Sequence, residues 1–252
     1  MHMHHHLPGT LLVLTLLASG CVGCGTSAPS GRPSTWTSAS TPTPAPADLS
    51  ITVPKGDVEE IDGVLGPSEW ARAQRADLVP EGELLLMHDG QYLLLGLRGK
   101  PDSLGSVCMR RGTEILVLHS SLGVGTAVYE LNKGSWQRTQ DFHWTWWDET
   151  DAQLALNQMA DFEQQNGWLA STMGTGSPGE MEYRIALPEG DVRLAVVYFT
   201  GDGSTEHLAW WPAQLADSCR QTALIQGRAA VTLRFQPAQW VAINTLPGSR
   251  GE

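Results

Sequence analysis

Two adjacent tryptophan pairs, Trp146-Trp147 and Trp210-Trp211, are the residues of this chain best suited to hold a ligand. Each pair falls on a segment that reads as a β-strand, where successive side chains point to opposite faces. One ring of each pair must then leave the core, and two outward rings can sandwich a flat surface such as the C–H face of a sugar. The chain holds ten Trp against four Phe and four Tyr. A core has no need of that excess, because Phe fills space without an N–H to satisfy. The alternative is that each pair ends a strand, with the second ring packed beneath a helix.

Other reactive residue types form weaker patterns. Asp141, His143, Asp148 and Glu149 could ligate a metal or trade protons, but His143 alternates with Phe142 and Trp144 and is expected on the solvated side of a strand. Gly123-Val124-Gly125 lacks the third glycine and the βαβ frame of a dinucleotide loop, and reads as a strand bend. The chain carries no Gly-x-Ser-x-Gly elbow and no His-Glu-x-x-His, and its folded part has no Cys-x-x-Cys. No catalytic residue is therefore assigned, no metal set is identified, and the chain is not expected to be an enzyme. A net charge of −11 excludes nucleic-acid binding, which needs Lys and Arg to neutralise phosphates.

The N-terminal segments indicate where these residues are carried. Leu11 to Leu17 is an apolar run too short to span a bilayer, which takes about 20 residues. It is followed by Ala18-Ser19-Gly20-Cys21, and the whole resembles a bacterial lipoprotein signal. The resemblance implies a signal peptide over residues 1–20 and a lipidated Cys21 whose several acyl (palmitate-type) chains hold the protein at the extracytoplasmic face of a cell membrane. The departure is His in place of Lys or Arg before the apolar run, for which an affinity tag is the other explanation. Residues 21–50 are rich in Pro, Ser and Thr and cannot bury enough apolar surface to repay ordering, so they read as a tether. With Cys21 lipidated, Cys24, Cys108 and Cys219 remain. Cys108 and Cys219 lie in the folded part and are the expected disulfide, since the compartment is oxidising.

The elements that position the tryptophans are mostly strands. Candidates are Leu84 to Met87, Tyr92 to Leu97, Glu114 to His119, Thr126 to Leu131, Gln140 to Trp147, Met181 to Leu187, Arg193 to Phe199, Glu206 to Trp211 and Ala230 to Phe235. Asp89-Gly90 suits a two-residue hairpin turn between the first two. Met181, Tyr183 and Ile185 alternate with Glu182, Arg184 and Ala186, the pattern of a half-buried strand. Thr150-Asp151-Ala152-Gln153 reads as a capping box. Ala152, Ala155, Leu156, Met159 and Phe162 then make a helical apolar stripe, and Asn166-Gly167 stops it, with Trp168 packing back on the last turn. The expected fold is all-β: an antiparallel, jelly-roll-like β-sandwich over residues 51–236 with one inserted helix, followed by a C-terminal tail over 237–252.

The order of short motifs adds a resemblance. Ile61-Asp62-Gly63, Glu69-Trp70-Ala71, the hairpin around Asp89-Gly90-Gln91-Tyr92, the strand Met181-Glu182-Tyr183-Arg184-Ile185-Ala186-Leu187-Pro188 and Trp211-Pro212 together resemble family 9 carbohydrate-binding modules and the related DOMON-like sandwiches. Gly66-Pro67-Ser68 departs from that pattern, and residues 133–179 look like an insertion. The resemblance implies non-catalytic binding of a glycan by surface Trp residues, with Trp146, Trp147, Trp210 and Trp211 as the candidates. Some DOMON-like domains ligate haem through Met and His, which draws attention to Met87-His88, although neighbours on one strand cannot both face one iron. No cofactor is expected; calcium and haem stay as the alternatives. The competing reading is a structural protein that docks another cell-envelope protein.

Overall fold

The computed structural model describes residues 49–148, 150–171, 179–201 and 206–245. The signal segment, Cys21, nearly all of the tether and Glu149 lie outside the described residues.

The chain begins with β1 (Ser50–Val53) and β2 (Gln74–Asp77), then the hairpin of β3 (Glu83–His88) and β4 (Tyr92–Arg98). An up-and-down series follows: β5 (Ser103–Arg111), β6 (Glu114–Ser120), β7 (Val124–Asn132) and β8 (Ser135–Gln140). Helix α1 (Ala152–Asn166) comes next, then β9 (Trp168–Ala170), β10 (Glu180–Ala186), β11 (Val192–Gly201) and β12 (Glu206–Trp211). The short helix α2 (Thr222–Ile225), β13 (Thr232–Leu233) and β14 (Val241–Thr245) complete the described chain. Five strands form a smaller sheet in the order β2-β3-β4-β10-β9. The larger sheet runs β1-β14-β11-β5-β6-β7-β8-β13, with β12 also paired to β11. All described pairs are antiparallel except β1 with β14. The protein is thus an all-β sandwich with one long helix.

Alternation sets the interior. Met181, Tyr183 and Leu97 of the smaller sheet meet β5 so closely that a Cβ added at Gly105 would lie 2.6 Å from the Met181 sulfur. The larger sheet offers Val107, Leu194 and Val196 to this core. Neither sheet is bare on its outer side. Residues 54–73 cover the smaller sheet, with Leu65 lying over Leu85 and Gly96 and with Gly56 against Met87. This is why β3 is buried on both faces. Residues 212–240 cover the larger sheet, where Leu215, Leu224, Ile225, Phe235 and Trp240 pack on Ile115, Val117, Tyr129 and Val197. A disulfide between Cys108 on β5 and Cys219 joins that cover to its sheet.

Each cover is organised by a buried carboxylate that accepts one indole N–H and two backbone N–H groups. Asp217 takes Trp240 Nε1 at 2.8 Å and the amides of Cys219 and Gln236 at 2.9 and 2.7 Å. Glu182 takes Trp70 Nε1 at 3.0 Å and the amides of Asp62 and Gly63, both at 2.9 Å. Gly63 has φ +85°, a conformation that favours glycine because it has no Cβ.

Several expectations need correction. β3 and β4 leave Asp89, Gly90 and Gln91 between them, and the Asp89 N–H donates to the Tyr92 carbonyl at 3.2 Å, so the tight turn falls on Gly90-Gln91 instead of Asp89-Gly90, with Asp89 Oδ1 accepting the amides of Gln91 and Tyr92. The strand expected over Gln140 to Trp147 ends at Gln140; beyond it only Thr145 bridges, to Val124. The N-cap of α1 is Asp151, whose carboxylate accepts the amide of Leu154, while Thr150 bonds to Asp148. The apolar stripe is buried only at Phe162; Ala152 and Leu156 are exposed. β10 is not half-solvated, because the 54–73 cover buries Glu182 completely. The expected tail from residue 237 belongs to the sandwich at least to Thr245. Asp217 captures Trp240 there, and Val241 and Ala242 enter the sheet beside β11.

Candidate functional site

The four candidate tryptophans do not share one surface. Trp211 points into the core between the sheets. Trp210 leaves that core, as alternation requires, and is half-buried against the 212–240 cover. Its indole N–H donates to the Ala213 carbonyl at 3.1 Å, and the Arg220 guanidinium lies 3.4 Å from its ring centre. Trp146 is 59% exposed and rests on Gly123. Trp147 is half-buried and packs edge-on against Phe162 of α1 at 5.7 Å.

Trp147 lines a groove of about 450 Å³. One wall is the loop Glu59-Glu60-Ile61-Asp62. The other is the face of α1 that carries Leu156, Met159, Ala160 and Glu163, and Leu169, Ser171 and Arg184 form the floor. The apolar stripe of the helix therefore has two uses. Its last turns anchor through Phe162, and its middle turns leave Leu156 and Met159 open along the groove. Arg184 fixes the helix to β10 by a two-pronged bond to Glu163, with Nε–Oε1 and Nη2–Oε2 both at 2.6 Å. That carboxylate, with Tyr92 and Asp89 nearby, holds the guanidinium above its ordinary pKa.

The loop wall is acidic. Glu59, Glu60 and Asp62 face the groove and continue into a neighbouring hollow shared with Asp57 and Glu69. Among the described residues, no Lys or Arg pairs with these five carboxylates. Behind the wall sits Glu182. Burial pushes its carboxyl up to about 7, against the pull of its N–H donors. The groove thus offers an aromatic edge, apolar helix side chains and hydrogen-bond acceptors, with one guanidinium already paired. The Ser171 hydroxyl in its floor accepts the Glu182 N–H at 2.9 Å.

The remaining candidates are scattered. Asp141 pairs with Arg138 at 2.9 Å, Asp148 accepts from Thr150, and His143 is exposed. Among the described residues no three His, Cys, Asp or Glu are grouped to hold a metal ion. Met87 and His88 do not fit haem. The Met87 sulfur is fully buried against Gly56, and His88 faces the other side of β3, buried, with neither ring nitrogen hydrogen-bonded. Residue chemistry alone pointed to neither the Glu59–Asp62 wall nor Glu182. The signal that could have found them was the pairing of the early Asp62-Gly63 and Glu69-Trp70 motifs with a Glu in a strand otherwise apolar on alternate positions.

No protein-family model matches the chain, and no curated protein matches it. A solved structure from Bacteroides uniformis, titled a "putative carbohydrate-binding protein", resembles it with a TM-score of 0.43 and 12% identity, over 79% of this chain and 100% of that one.

Proposed function

We propose that this chain is a lipid-anchored protein of the extracytoplasmic face whose sandwich binds a small glycan, without catalysis, in the groove between residues 59–62 and α1. The observation that carries the reading is Trp147, an aromatic ring beside a groove lined by carboxylate acceptors and apolar helix side chains. A sugar presents hydroxyl donors on its rim and C–H groups on its faces, and that combination matches such a lining. The carboxylates disfavour acidic sugars, so the ligand class is neutral or cationic. Cys21, with its preceding apolar run and small residues, supports attachment to the membrane by acyl chains. A glycan array probed with the full chain, repeated with Trp147→Ala, tests the binding reading. Retention of a glycan by the native chain and its loss in the variant are expected. No retained glycan, or equal retention by both, overturns it.

The second reading is docking of another envelope protein, favoured by the exposed side chains of Leu122, Trp146 and Leu156. Crosslinking in intact membranes, with and without Trp146→Ser, distinguishes it.

A further inference from the structure

The loop wall of the groove is held from behind by the buried side chain of Glu182, beside Glu180, whose Oε2 accepts the Leu65 N–H at 2.8 Å. Glu182 is 0% exposed, on the outer side of β10. Its Oε2 accepts the amides of Asp62 and Gly63, and its Oε1 accepts the indole N–H of Trp70. Its backbone also fixes the floor: its N–H donates to Ser171 Oγ at 2.9 Å, and its carbonyl accepts the Ser171 N–H at 3.0 Å. Asp62 and Ser171 both line the groove. Wall and floor therefore meet at one residue, the wall on its carboxylate and the floor on its backbone.

The charged groups around Glu182 leave it without a cation. The wall segment contributes Asp62 and Glu69, both of which disfavour its negative charge. On the same side of β10, Glu180 is paired with Arg98 of β4 at 2.8 Å, and Arg184 is paired with Glu163 of α1. β9 contributes no charged residue. The ionised carboxylate can accept all three N–H groups. The protonated carboxyl accepts these donors more weakly, but it places no uncompensated charge beneath the wall.

We propose that Glu182 is the positioning residue of the groove: it clamps the segment from Ile61 to Trp70 against the sheet, and because that segment is what buries the carboxyl, protonation favours the clamped wall and ionisation loosens it. Burial moves the carboxyl up to about 7, which puts the loosening on the alkaline side of neutrality. The consequence for a bound glycan rests on the function proposed above, whereas the clamp itself does not.

The test uses the full chain without ligand. Backbone amide signals of Asp62 and Gly63 and the indole signal of Trp70 are followed by NMR between about pH 5 and about pH 9, a range that spans carboxyl and imidazole titration. The indole signal of Trp168, which donates to Thr126 Oγ1, is the internal reference. The expected result is one shared titration of the three Glu182 donors near neutrality, with Trp168 unchanged. On the alkaline side, hydrogen-exchange protection of the two amides falls by at least about tenfold, one factor of ten for each pK unit between the covered and the solvated carboxyl. Glu182→Gln removes the titration. Three signals that stay constant, a Trp168 signal that moves with them, or an unaltered titration in Glu182→Gln each overturn the clamp. If that variant does not fold, the native titration with its Trp168 reference still decides. Glycan retention measured at about pH 6, where the clamp is closed, separately decides the groove reading.

Discussion

The indole N–H of Trp70 donates to Oε1 of Glu182 at 3.0 Å, joining residues 112 positions apart. This bond ties the N-terminal cover to the smaller sheet. Trp70→Phe keeps most of the ring volume and leaves a buried carboxylate one donor short. The expected loss is about 1.5–3 kcal/mol of unfolding free energy, the range for hydrogen bonds to charged groups. Urea denaturation measures it. Trp146→Phe, on the surface, is expected to stay within about 0.5 kcal/mol of the native chain.

The pH dependence of stability has two limbs of opposite sign. His119 is buried, bonded through Nδ1 to Ser106 Oγ at 2.8 Å and packed edge-on to Trp144, and burial holds its pKa down at about 4. Between about pH 6.5 and that value the unfolded chain binds a proton that the fold refuses, so stability falls on acidification, by about 3 kcal/mol in total. His119→Asn, which can keep a bond to Ser106, should flatten this limb in melting curves recorded across the range. Glu182 acts the other way. Its folded pKa is raised, so the fold binds the proton more tightly and this contribution grows as pH falls from about 7 to about 4.5. A proton there relieves a buried charge, for the whole fold and for the local clamp alike.

The disulfide closes a separation of 111 residues. Replacing both Cys108 and Cys219 by Ser is expected to cost up to about 4–5 kcal/mol, because the unfolded chain regains the freedom that the long loop had lost. The damage should concentrate in the 212–240 cover. Hydrogen exchange would show it there before it appears in the smaller sheet.

Glu163 and Arg184 hold α1 over the groove. Glu163→Gln removes the charge from the carboxylate side of a half-buried two-pronged bond, and a loss of about 1–3 kcal/mol is expected. A double-mutant cycle with Arg184→Gln should return a coupling energy of at least about 0.5 kcal/mol. No coupling would mean that packing through Phe162 alone anchors the helix.

The two tryptophan pairs should behave differently in ligand binding. Trp147→Ala is expected to weaken glycan retention by at least about tenfold, which corresponds to about 1.4 kcal/mol. Trp210→Phe, beneath Arg220, should leave retention unchanged. Fluorescence titration with the glycan retained on the array measures both, with circular dichroism to verify the fold.

Local signals in the chain were legible without a structure. Asn166-Gly167 stops α1 where glycine can take the left-handed conformation, and the period-two pattern of Met181, Tyr183 and Ile185 marks β10. Asp151 caps the helix one residue from the expected place, because both Thr150 and Asp151 are capable caps and Asp148 engages the first. The period of a strand says which residues share a face. It does not say whether that face meets water. Both sheets carry a cover on the outer side, and this single fact turns Glu182 from a solvated residue into a buried clamp and places Trp210 under Arg220.

The sequence by itself determined the all-β class, the inserted helix and the candidates for lipid attachment and cross-linking, because turn chemistry, alternation and residue type act over a few neighbours. Only the tertiary structure decided which tryptophan borders a groove, that residues 237–245 belong to the sandwich, and that Trp70 answers to Glu182. Those outcomes depend on segments some hundred residues apart competing for the same sheet surface, and no local pattern encodes which of them wins.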